Sequence, residues 1–542
     1  MKRYSARILS AAAVLLLLGT LLCLAQRRER LIDTWRPTHF NIDLTFDQKL
    51  TSIQAITAVD VVVLKDNTSM IDLDFGTMPV SAVTVGSSPA RFVQHDQKLD
   101  VYLAAPAGRS QALRITVSYA GTPSGGLVLT KDKDGSPSAI GDNWPDRVHN
   151  WIPCLDHPSA KAAVSFTVTA PAEYSVVTNG IPTASLFTSG GLTKWVFNED
   201  KPVSPYNMVV AAGNFATATT SAGSPVPISY YVPRSSGQLA ETGFGPAGPS
   251  LATFSDLVGP YPYKKLALIV GATQFGGMEN ANTIVLTPNY FDNFQTATAR
   301  SQVFKIPANR EEVLAHEIAH QWFGDSVTES TWADLWLSEG FATYFAGLFL
   351  ERAEGAERFR EYMQSKANSY LAYERRRRTP IHDTETKDLM QLLNGNNYEK
   401  GGWVLHMLRR RLGDKAFFDG LRLYYRDRHE STASTDDLRA SLEKASGKDL
   451  KDFFTRWVFQ PGHPVYHIEW KETGQGSIEV TLTQTQQDEA FLDPVTVRLE
   501  TPAGDHDVVI SPKGKSTTMT VKSSAPQRVT VDPNGDLLKE VK

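Results

Sequence analysis

The chain has 542 residues, of which 41% are hydrophobic and 21% are charged, and its formal net charge is −4. This length predicts about three domains with substantial hydrophobic cores. A weakly acidic chain lacks the basic surface that gathers nucleic acids, so we expect no nucleic-acid partner.

Residues 1–26 have the pattern of a targeting segment, because cations precede an apolar run over residues 8–25. The small residue Ala25 favours cleavage of a signal peptide, whereas a run close to ~18 apolar residues also suits a retained membrane anchor. Both alternatives predict a secreted, periplasmic or membrane-anchored protein, with a possible tether through residues 8–25. Cleavage would remove Cys23 and leave Cys154 alone, which we expect to be a small buried apolar residue.

Residues 27–232 have the pattern of β-strands. Apolar and polar residues alternate over residues 40–46, and residues 59–64 and 163–170 are further strand candidates. A hydrophobic period of two is typical of strands with one buried face. We therefore predict an N-terminal β domain over residues 27–232, followed by a connection rich in Gly, Pro and Ser at residues 233–249.

After residue 250 the hydrophobic period becomes helical, and after residue 463 alternation returns. This pattern predicts a mainly helical domain over residues 233–463 and a C-terminal β-sandwich over residues 464–542. The fold class is therefore multidomain α+β. The predicted elements are helices at residues 311–323, 335–350, 400–412 and 438–454, and strands at Leu266–Val270, Thr283–Leu286 and residues 478–483, 495–500 and 517–521.

One helical segment carries the sequence HEIAH at residues 316–320. Asn309 as N-cap and Glu312 as its capping-box partner predict where this helix begins. Residues four apart lie on one face of a helix, so His316 and His320 can both bind one zinc ion. Glu317 would project beside the open position of that ion and take a proton from water.

The third ligand is predicted in the next helical segment. Glu339 stands nineteen positions after His320 and supplies a carboxylate from a neighbouring helix. The alternative metzincin pattern needs a histidine at position 326, where this chain has Ser326. Asp325 either orients a ligand imidazole or serves as a surface or capping residue.

Four stretches resemble the aminopeptidase N and leukotriene-hydrolase family of gluzincin metallopeptidases. They read HEIAHQWFGD at residues 316–325, WLSEGFATY at 336–344, GGMEN at 276–280 and WIPCLDHP at 151–158. The chain departs from the family pattern at Ser338, Gly277 and His157, where Asn, Ala and Glu are usual. The resemblance implies a thermolysin-like zinc peptidase domain as the catalytic domain over residues 233–463, with one zinc ion.

The resemblance also implies a role for each matching residue. Glu279 would bind the protonated α-amine of a peptide with a free N-terminus, so that the first peptide bond meets the metal. Tyr398 would donate its hydroxyl to the oxyanion that forms during hydrolysis. The residues that would form an edge strand against the substrate backbone are Gly276, Gly277, Met278, Glu279 and Asn280.

Two other functions stay open at this point. A zinc endopeptidase would use the same metal residues without needing an amine anchor. A non-catalytic cell-surface binding protein could be built on a peptidase scaffold, but the presence of Glu317, Glu279 and Tyr398 together argues against it.

Overall fold

The computed structural model describes residues 27–187, 190–221, 223–294, 296–474 and 476–542. The predicted signal peptide or anchor, including the possible tether at residues 8–25, lies outside the described residues. Among those that are described, no helix is both long enough and apolar enough to cross a membrane.

The first part of the chain forms β-sheets, as predicted. Trp35–Phe46 pairs in parallel with Ala162–Pro171 and antiparallel with Ile53–Val63. The expected alternation is confirmed in Trp35–Phe46, because Phe40, Ile42, Leu44 and Phe46 are all buried. Cys154 is also buried, as expected.

Three sheets make up this part of the chain. The largest has eight strands, in the order Ile181–Phe187, Leu192–Val203, Ala162–Pro171, Trp35–Phe46, Ile53–Val63, Ala112–Gly121, Val80–Val85 and Ser88–Pro89. A four-stranded sheet contains Ser175–Thr178, Val210–Gly213, Pro137–Asp142 and Gly126–Lys131, and a three-stranded sheet contains Thr68–Asp74, Lys98–Ala107 and Arg91–His95.

A five-stranded sheet crosses the boundary predicted between residues 232 and 233. Its strands, in order, are Phe215–Thr220, Ile228–Pro233, Leu266–Val270, Thr283–Leu286 and Gly277–Met278. The pairing of Ile228–Pro233 with Leu266–Val270 is parallel, so the residues just before position 233 pack with those that follow. Gly277–Met278 lies at the edge of this sheet, antiparallel to Thr283–Leu286.

The segment expected to be a connection, residues 233–249, is folded. It contains a 3-10 helix at Arg234–Leu239 and begins two α-helices, and Phe244 and Ala247 are buried in the core. These apolar residues explain why a stretch rich in Gly, Pro and Ser does not act as an open linker.

The helices follow in chain order. They are α1 (Ala240–Gly243), α2 (Ala247–Leu257), α3 (Ala308–Ala319), α4 (Trp336–Glu354), α5 (Ala356–Glu374), α6 (Gly401–Leu412), α7 (Asp414–Arg428), α8 (Thr435–Ser446) and α9 (Lys451–Trp457). Every residue of α4 from Trp336 to Leu350 is buried, which is typical of a helix at the centre of a core. The single helix predicted at residues 438–454 is wrong, because Gly447 adopts a left-handed φ of 67° and ends α8.

The predicted start of α3 is also wrong. The helix begins at Ala308 after Pro307, whose extended backbone (φ −55°, ψ 129°) serves as the cap without a side-chain hydrogen bond. Asn309 therefore lies inside the first turn, and Glu312 pairs with Arg358 at 2.6 Å instead of closing a capping box. Proline fixes the backbone direction two residues before the predicted cap at Asn309.

The last part of the chain contains two sheets. The four-stranded sheet has the order Ser516–Lys522, Ser477–Gln484, Val465–Gly474 and Glu540–Val541, and the three-stranded sheet has the order His506–Ile510, Val495–Glu500 and Arg528–Val531. The predicted strands at residues 478–483, 495–500 and 517–521 lie within these elements. A short parallel pair, Val327–Glu329 with Ser431–Ala433, connects the segment after α3 to the segment before α8.

Candidate active site

Two helices bring three side chains to one point. His316 lies in the last turn of α3, His320 caps the C-terminal end of that helix, and Glu339 lies in the first turn of α4. The Nε2 atoms of His316 and His320 are 3.1 Å apart. Glu339 Oε2 lies 3.2 Å from the first of these atoms and 3.4 Å from the second. The structure thus brings together the three residues predicted as metal ligands.

The spacing of these three atoms suits a zinc ion. With bonds of ~2.0–2.1 Å and tetrahedral angles, neighbouring ligand atoms around zinc lie about 3.3 Å apart. The measured separations of 3.1, 3.2 and 3.4 Å bracket that value. Two imidazole nitrogens and one carboxylate oxygen also form a common donor set of catalytic zinc sites with an open position. The residues present therefore fit the metal.

His320 is held in the tautomer that a metal ligand needs. Its Nδ1 lies 3.1 Å from the carbonyl oxygen of Phe323 and 3.0 Å from Oγ of Ser338. A carbonyl oxygen can only accept a hydrogen bond, so Nδ1 carries the proton and Nε2 keeps its lone pair for the metal. Ser338, where the family pattern has Asn, thus contacts a ligand imidazole directly.

Burial shapes the electrostatics of the site. It raises the pKa of Glu317 well above its ordinary value and that of Glu279 to about 7, although the charge of His320 opposes this effect in both. Burial acts in the same direction on Glu339, but the two imidazoles outweigh it and lower the pKa to about 2. Burial lowers the pKa of His316 to about 4, whereas the surrounding carboxylates outweigh it and raise the pKa of His320.

A cavity of about 380 Å³ opens beside these groups. Gly276, Gly277, Met278 and Glu279 line it together with the metal-binding residues, whereas Asn280 is fully buried and does not reach it. A Cβ on Gly277 would lie 2.3 Å from the carboxyl carbon of Glu317. The Glu317 carboxylate therefore occupies the space that the missing side chain of Gly277 leaves.

Tyr398 reaches the cavity from a π-helical turn, Asn396–Lys400, that precedes α6. Its ring stacks on that of His316, with centroids 5.9 Å apart and planes at 7°. The turn can approach α4 closely because Gly340 of α4 meets Gly401, the residue that directly follows the turn. A Cβ on Gly340 would lie 2.9 Å from Gly401 Cα, so this close packing fixes Tyr398 relative to the helix that carries Glu339.

A buried hydrogen-bond network connects Glu279, the candidate amine anchor, to the segment that directly follows α3. Gln321 Nε2 donates to the carbonyl oxygen of Glu279 at 2.8 Å and to Asp325 Oδ2 at 2.7 Å. Asp325 Oδ1 accepts from Asn207 Nδ2 at 2.6 Å. The predictions that Asp325 orients an imidazole or lies at the surface are therefore wrong, because its fully buried carboxylate binds two amides. Its backbone N–H donates to the carbonyl oxygen of His320 at the C-terminal end of α3 at 3.0 Å.

A lysine that directly precedes the strand Ala162–Pro171 holds the loop that follows α3. Lys161 Nζ donates to the carbonyl oxygens of Asp325 and Ser326 at 2.7 and 2.8 Å, and to Thr328 Oγ1 at 2.9 Å. Burial lowers the pKa of Lys161 to about 7, although Asp325 and other acids oppose the shift. These contacts join the first part of the chain to the metal site, and nothing in the sequence pattern singles out Lys161.

Most of the cavity wall consists of residues that were not predicted to belong to the site. Some come from distant segments that no local motif marks, whereas Asn309 and Glu312 were expected only as capping residues and Thr343 lies within the stretch at residues 336–344. The residues that were not predicted are Trp144, Phe275, Asn309, Glu312, Val313, Thr343, Tyr362, Lys366, Leu393 and Glu399.

Comparison with known proteins assigns the family. The Peptidase family M1 domain matches residues 251–457, and the Peptidase M1 N-terminal domain matches residues 36–207. This chain belongs to the M1 peptidase family. Both matched ranges contain residues of the site, because Lys161 and Asn207 lie in the N-terminal match and all three candidate metal ligands lie in the other.

Curated M1 relatives carry aminopeptidase names. Glutamyl aminopeptidase of Rattus norvegicus is 28% identical over 388 residues, which are 68% of this chain and 40% of that protein. Aminopeptidase M1-A of Oryza sativa subsp. japonica is 30% identical over 63% of this chain and 38% of that protein. Probable aminopeptidase 2 of Sulfurisphaera tokodaii is 30% identical over 59% of this chain and 41% of that protein. The chain thus spans about two fifths of the length of these relatives.

We expect Gly340→Ala to destabilise this M1 peptidase. The new Cβ would lie 2.9 Å from Gly401 Cα and 3.2 Å from the Asn397 carbonyl oxygen, so α4 and the Tyr398 turn must move apart. Overpacking of this kind costs about 1–3 kcal/mol of the free energy of unfolding. Chemical denaturation measures it, with Gly514→Ala as the control because its Cβ would meet nothing within 4 Å. Equal stability of the two variants would contradict the close packing.

We expect Ser338→Ala to weaken zinc binding. The change removes one of the two hydrogen-bond partners of His320 Nδ1 and leaves the Phe323 carbonyl oxygen as the other. Loss of a group that orients a ligand typically lowers metal affinity by about tenfold or more. Competition with a chromogenic chelator measures the affinity, with Ser330→Ala as a matched control. An affinity equal to that of the control would remove Ser338 from this role.

Proposed function

We propose that this chain is a zinc aminopeptidase that hydrolyses the first peptide bond of peptides with a free N-terminus. One observation carries the proposal. The ligand atoms of Glu279, Glu317 and His320 lie within 4.8 Å of one another, and those of His316, His320 and Glu339 do so as well. The proposed amine anchor Glu279 and the proposed base Glu317 therefore lie beside the candidate metal ligands, and His320 belongs to both groups.

His316, His320 and Glu339 would hold the zinc ion, which supplies Lewis-acid catalysis when bound. Glu317 is the base, because its carboxylate faces the cavity beside Gly277 and is not one of the three converging ligands. Burial raises the pKa of Glu317, which favours uptake of a proton from the attacking water. The same carboxyl group then passes that proton to the leaving amine.

Tyr398 supports the developing oxyanion. Burial and the charge of Glu339 raise the pKa of its phenol well above the ordinary value, so the hydroxyl stays protonated at neutral pH. A neutral hydroxyl can donate a hydrogen bond to negative charge that forms on the substrate oxygen. Stacking on His316 holds the ring at the cavity wall.

Glu279 selects the substrate end. The α-amine of a peptide has a pKa of ~8 and is largely protonated at neutral pH. Burial raises the pKa of Glu279 to about 7, so a bound ammonium group supplies the counter-charge that the carboxylate otherwise lacks. The edge strand Gly277–Met278 leaves backbone groups available for pairing with a substrate backbone.

Three finer predictions from the sequence belong to this proposal. Residues 233–463 form a thermolysin-like domain, residues 464–542 form a β-sandwich, and a single zinc ion is bound. The protein acts outside the cytoplasm, either secreted, periplasmic or anchored through residues 8–25.

Glu317→Gln should abolish turnover while zinc stays bound. The amide cannot accept the proton of water, and loss of a general base typically costs about 10²–10⁴-fold in rate. Hydrolysis of leucine p-nitroanilide and metal content are both measured, with Glu357→Gln as a control on the exposed side of α5. Substantial activity in the zinc-loaded variant would exclude Glu317 as the base.

N-acetylation of the substrate should block cleavage. The cap removes the positive charge that Glu279 binds, so wild-type kcat/KM for an acetylated peptide should fall by about 100-fold, roughly the 2–3 kcal/mol of a charge-assisted hydrogen bond. Glu279→Ala should reduce the ratio of kcat/KM between free and acetylated peptides. Cleavage of both peptides at equal rates would indicate an endopeptidase, and no chelator-sensitive hydrolysis at all would indicate a non-catalytic binding protein.

A further inference from the structure

The cavity extends along α3, and its two ends differ in the residues that line them. Glu279 groups with Glu317 and His320 at the C-terminal end of that helix. Beyond His316 the cavity is lined by residues of the preceding turns, the farthest being Asn309. Seven residues of a helix span about 10 Å, so the cavity extends well past the metal site on the side away from the amine anchor. The peptide that leaves after cleavage must occupy this side.

Lys366 of α5 stands at that far side. Its Nζ lies 4.6 Å from the centroid of the Tyr362 ring, and the Tyr362 hydroxyl donates to the carbonyl oxygen of Thr343 at 2.8 Å. Thr343 lies one turn after Glu339 on α4 and also lines the cavity. Lys366 is therefore connected through Tyr362 to the turn of α4 that follows the turn carrying Glu339.

The charge of Lys366 is not neutralised by the protein. Among the described residues, no carboxylate lies at ion-pair distance from its ammonium group, and it is the only lysine or arginine that lines the cavity. Of the two acids that share this wall, Glu312 is paired with Arg358 at 2.6 Å. Burial raises the pKa of Glu399 despite the opposing charge of Lys366. The ammonium group, which lies over the Tyr362 ring without an ion pair, is thus available to a substrate anion.

The reach of a short peptide matches this position. An extended residue spans at most ~3.3–3.6 Å, so the terminal carboxylate of a di- or tripeptide lies about one or two residue lengths beyond the scissile bond. We propose that Lys366 binds the free C-terminal carboxylate of di- and tripeptides, which makes them the preferred substrates. This inference rests on the aminopeptidase function proposed above. The shared chemistry is a carboxylate on the leaving side, which an acidic side chain could also supply.

The test compares peptides that differ only in that carboxylate. For the wild-type protein, kcat/KM should be about five- to tenfold higher for Leu-Gly-Gly than for Leu-Gly-Gly-amide, which is the scale of one partly exposed charge-assisted hydrogen bond. The ratio should fall as salt is added. Lys366→Met should bring it close to one, and Lys366→Arg should retain most of it. Arg360→Met, which removes a charge from the exposed side of α5, is the matched control and should keep the wild-type ratio.

Four results would overturn the proposal that Lys366 binds the C-terminal carboxylate. Equal losses on the acid and the amide in Lys366→Met, with Lys366→Gln behaving alike, would assign Lys366 a purely structural role. A preference for Leu-Asp-Gly-amide over Leu-Gly-Gly-amide as large as that for the free acid would assign it to acidic side chains. Turnover of leucine p-nitroanilide without any acid preference would overturn this inference alone, whereas no turnover of any substrate would overturn the aminopeptidase function as well.

Discussion

The site depends on three buried carboxyl groups that converge on two imidazole rings. Glu279, Glu317 and Glu339 converge on His316 and His320. Like charges in a poorly solvated site repel strongly, so each carboxylate must be held in place by its surroundings. The contact of α4 with the Tyr398 turn and the packing of the rings of Phe323 and Phe341, with centroids 4.1 Å apart, supply that constraint. A divalent cation and a substrate ammonium group are the ligands that such an arrangement stabilises most.

Segments that connect the N-terminal sheets contribute contacts to the site. Lys161 and Asn207 reach the loop after α3 and bind the backbone and side chain of Asp325. Gln321 then connects that carboxylate to the backbone of Glu279. Buried polar groups are costly unless they are all paired, so movement of the sheets away from α3 would expose donors and acceptors at several points. The position of Glu279 relative to His320 is thus fixed by contacts between two parts of the chain, which gives a physical reason for both M1 matches to occur together.

Features of the site that depend on local backbone geometry were predicted from the sequence, whereas features that depend on tertiary packing were not. His316 and His320 could be paired from spacing alone, because helix geometry is local, and Glu339 followed from the next helix. The start of α3 was predicted wrongly, since Pro307 fixed the backbone before Asn309 could cap it. Strand alternation gave the sheets but not their pairing, so the sheet that joins Ile228–Pro233 to Leu266–Val270 was missed. Trp144, Lys161 and Lys366 belong to the site only through tertiary packing, which no local pattern encodes.

The distribution of charge along the cavity gives the substrate an orientation. The end near His320 carries Glu279 and the other side carries Lys366, so in the proposed binding mode the two termini of a short peptide meet opposite charges. Reversal of the peptide would place its carboxylate beside Glu279 and its ammonium group beside Lys366, and both contacts would be repulsive. Under this proposal the cavity would discriminate by rejection of the wrong direction as well as by attraction of the right one. An endopeptidase gains nothing from such an arrangement, because the segments of chain on either side of its scissile bond carry no terminal charges.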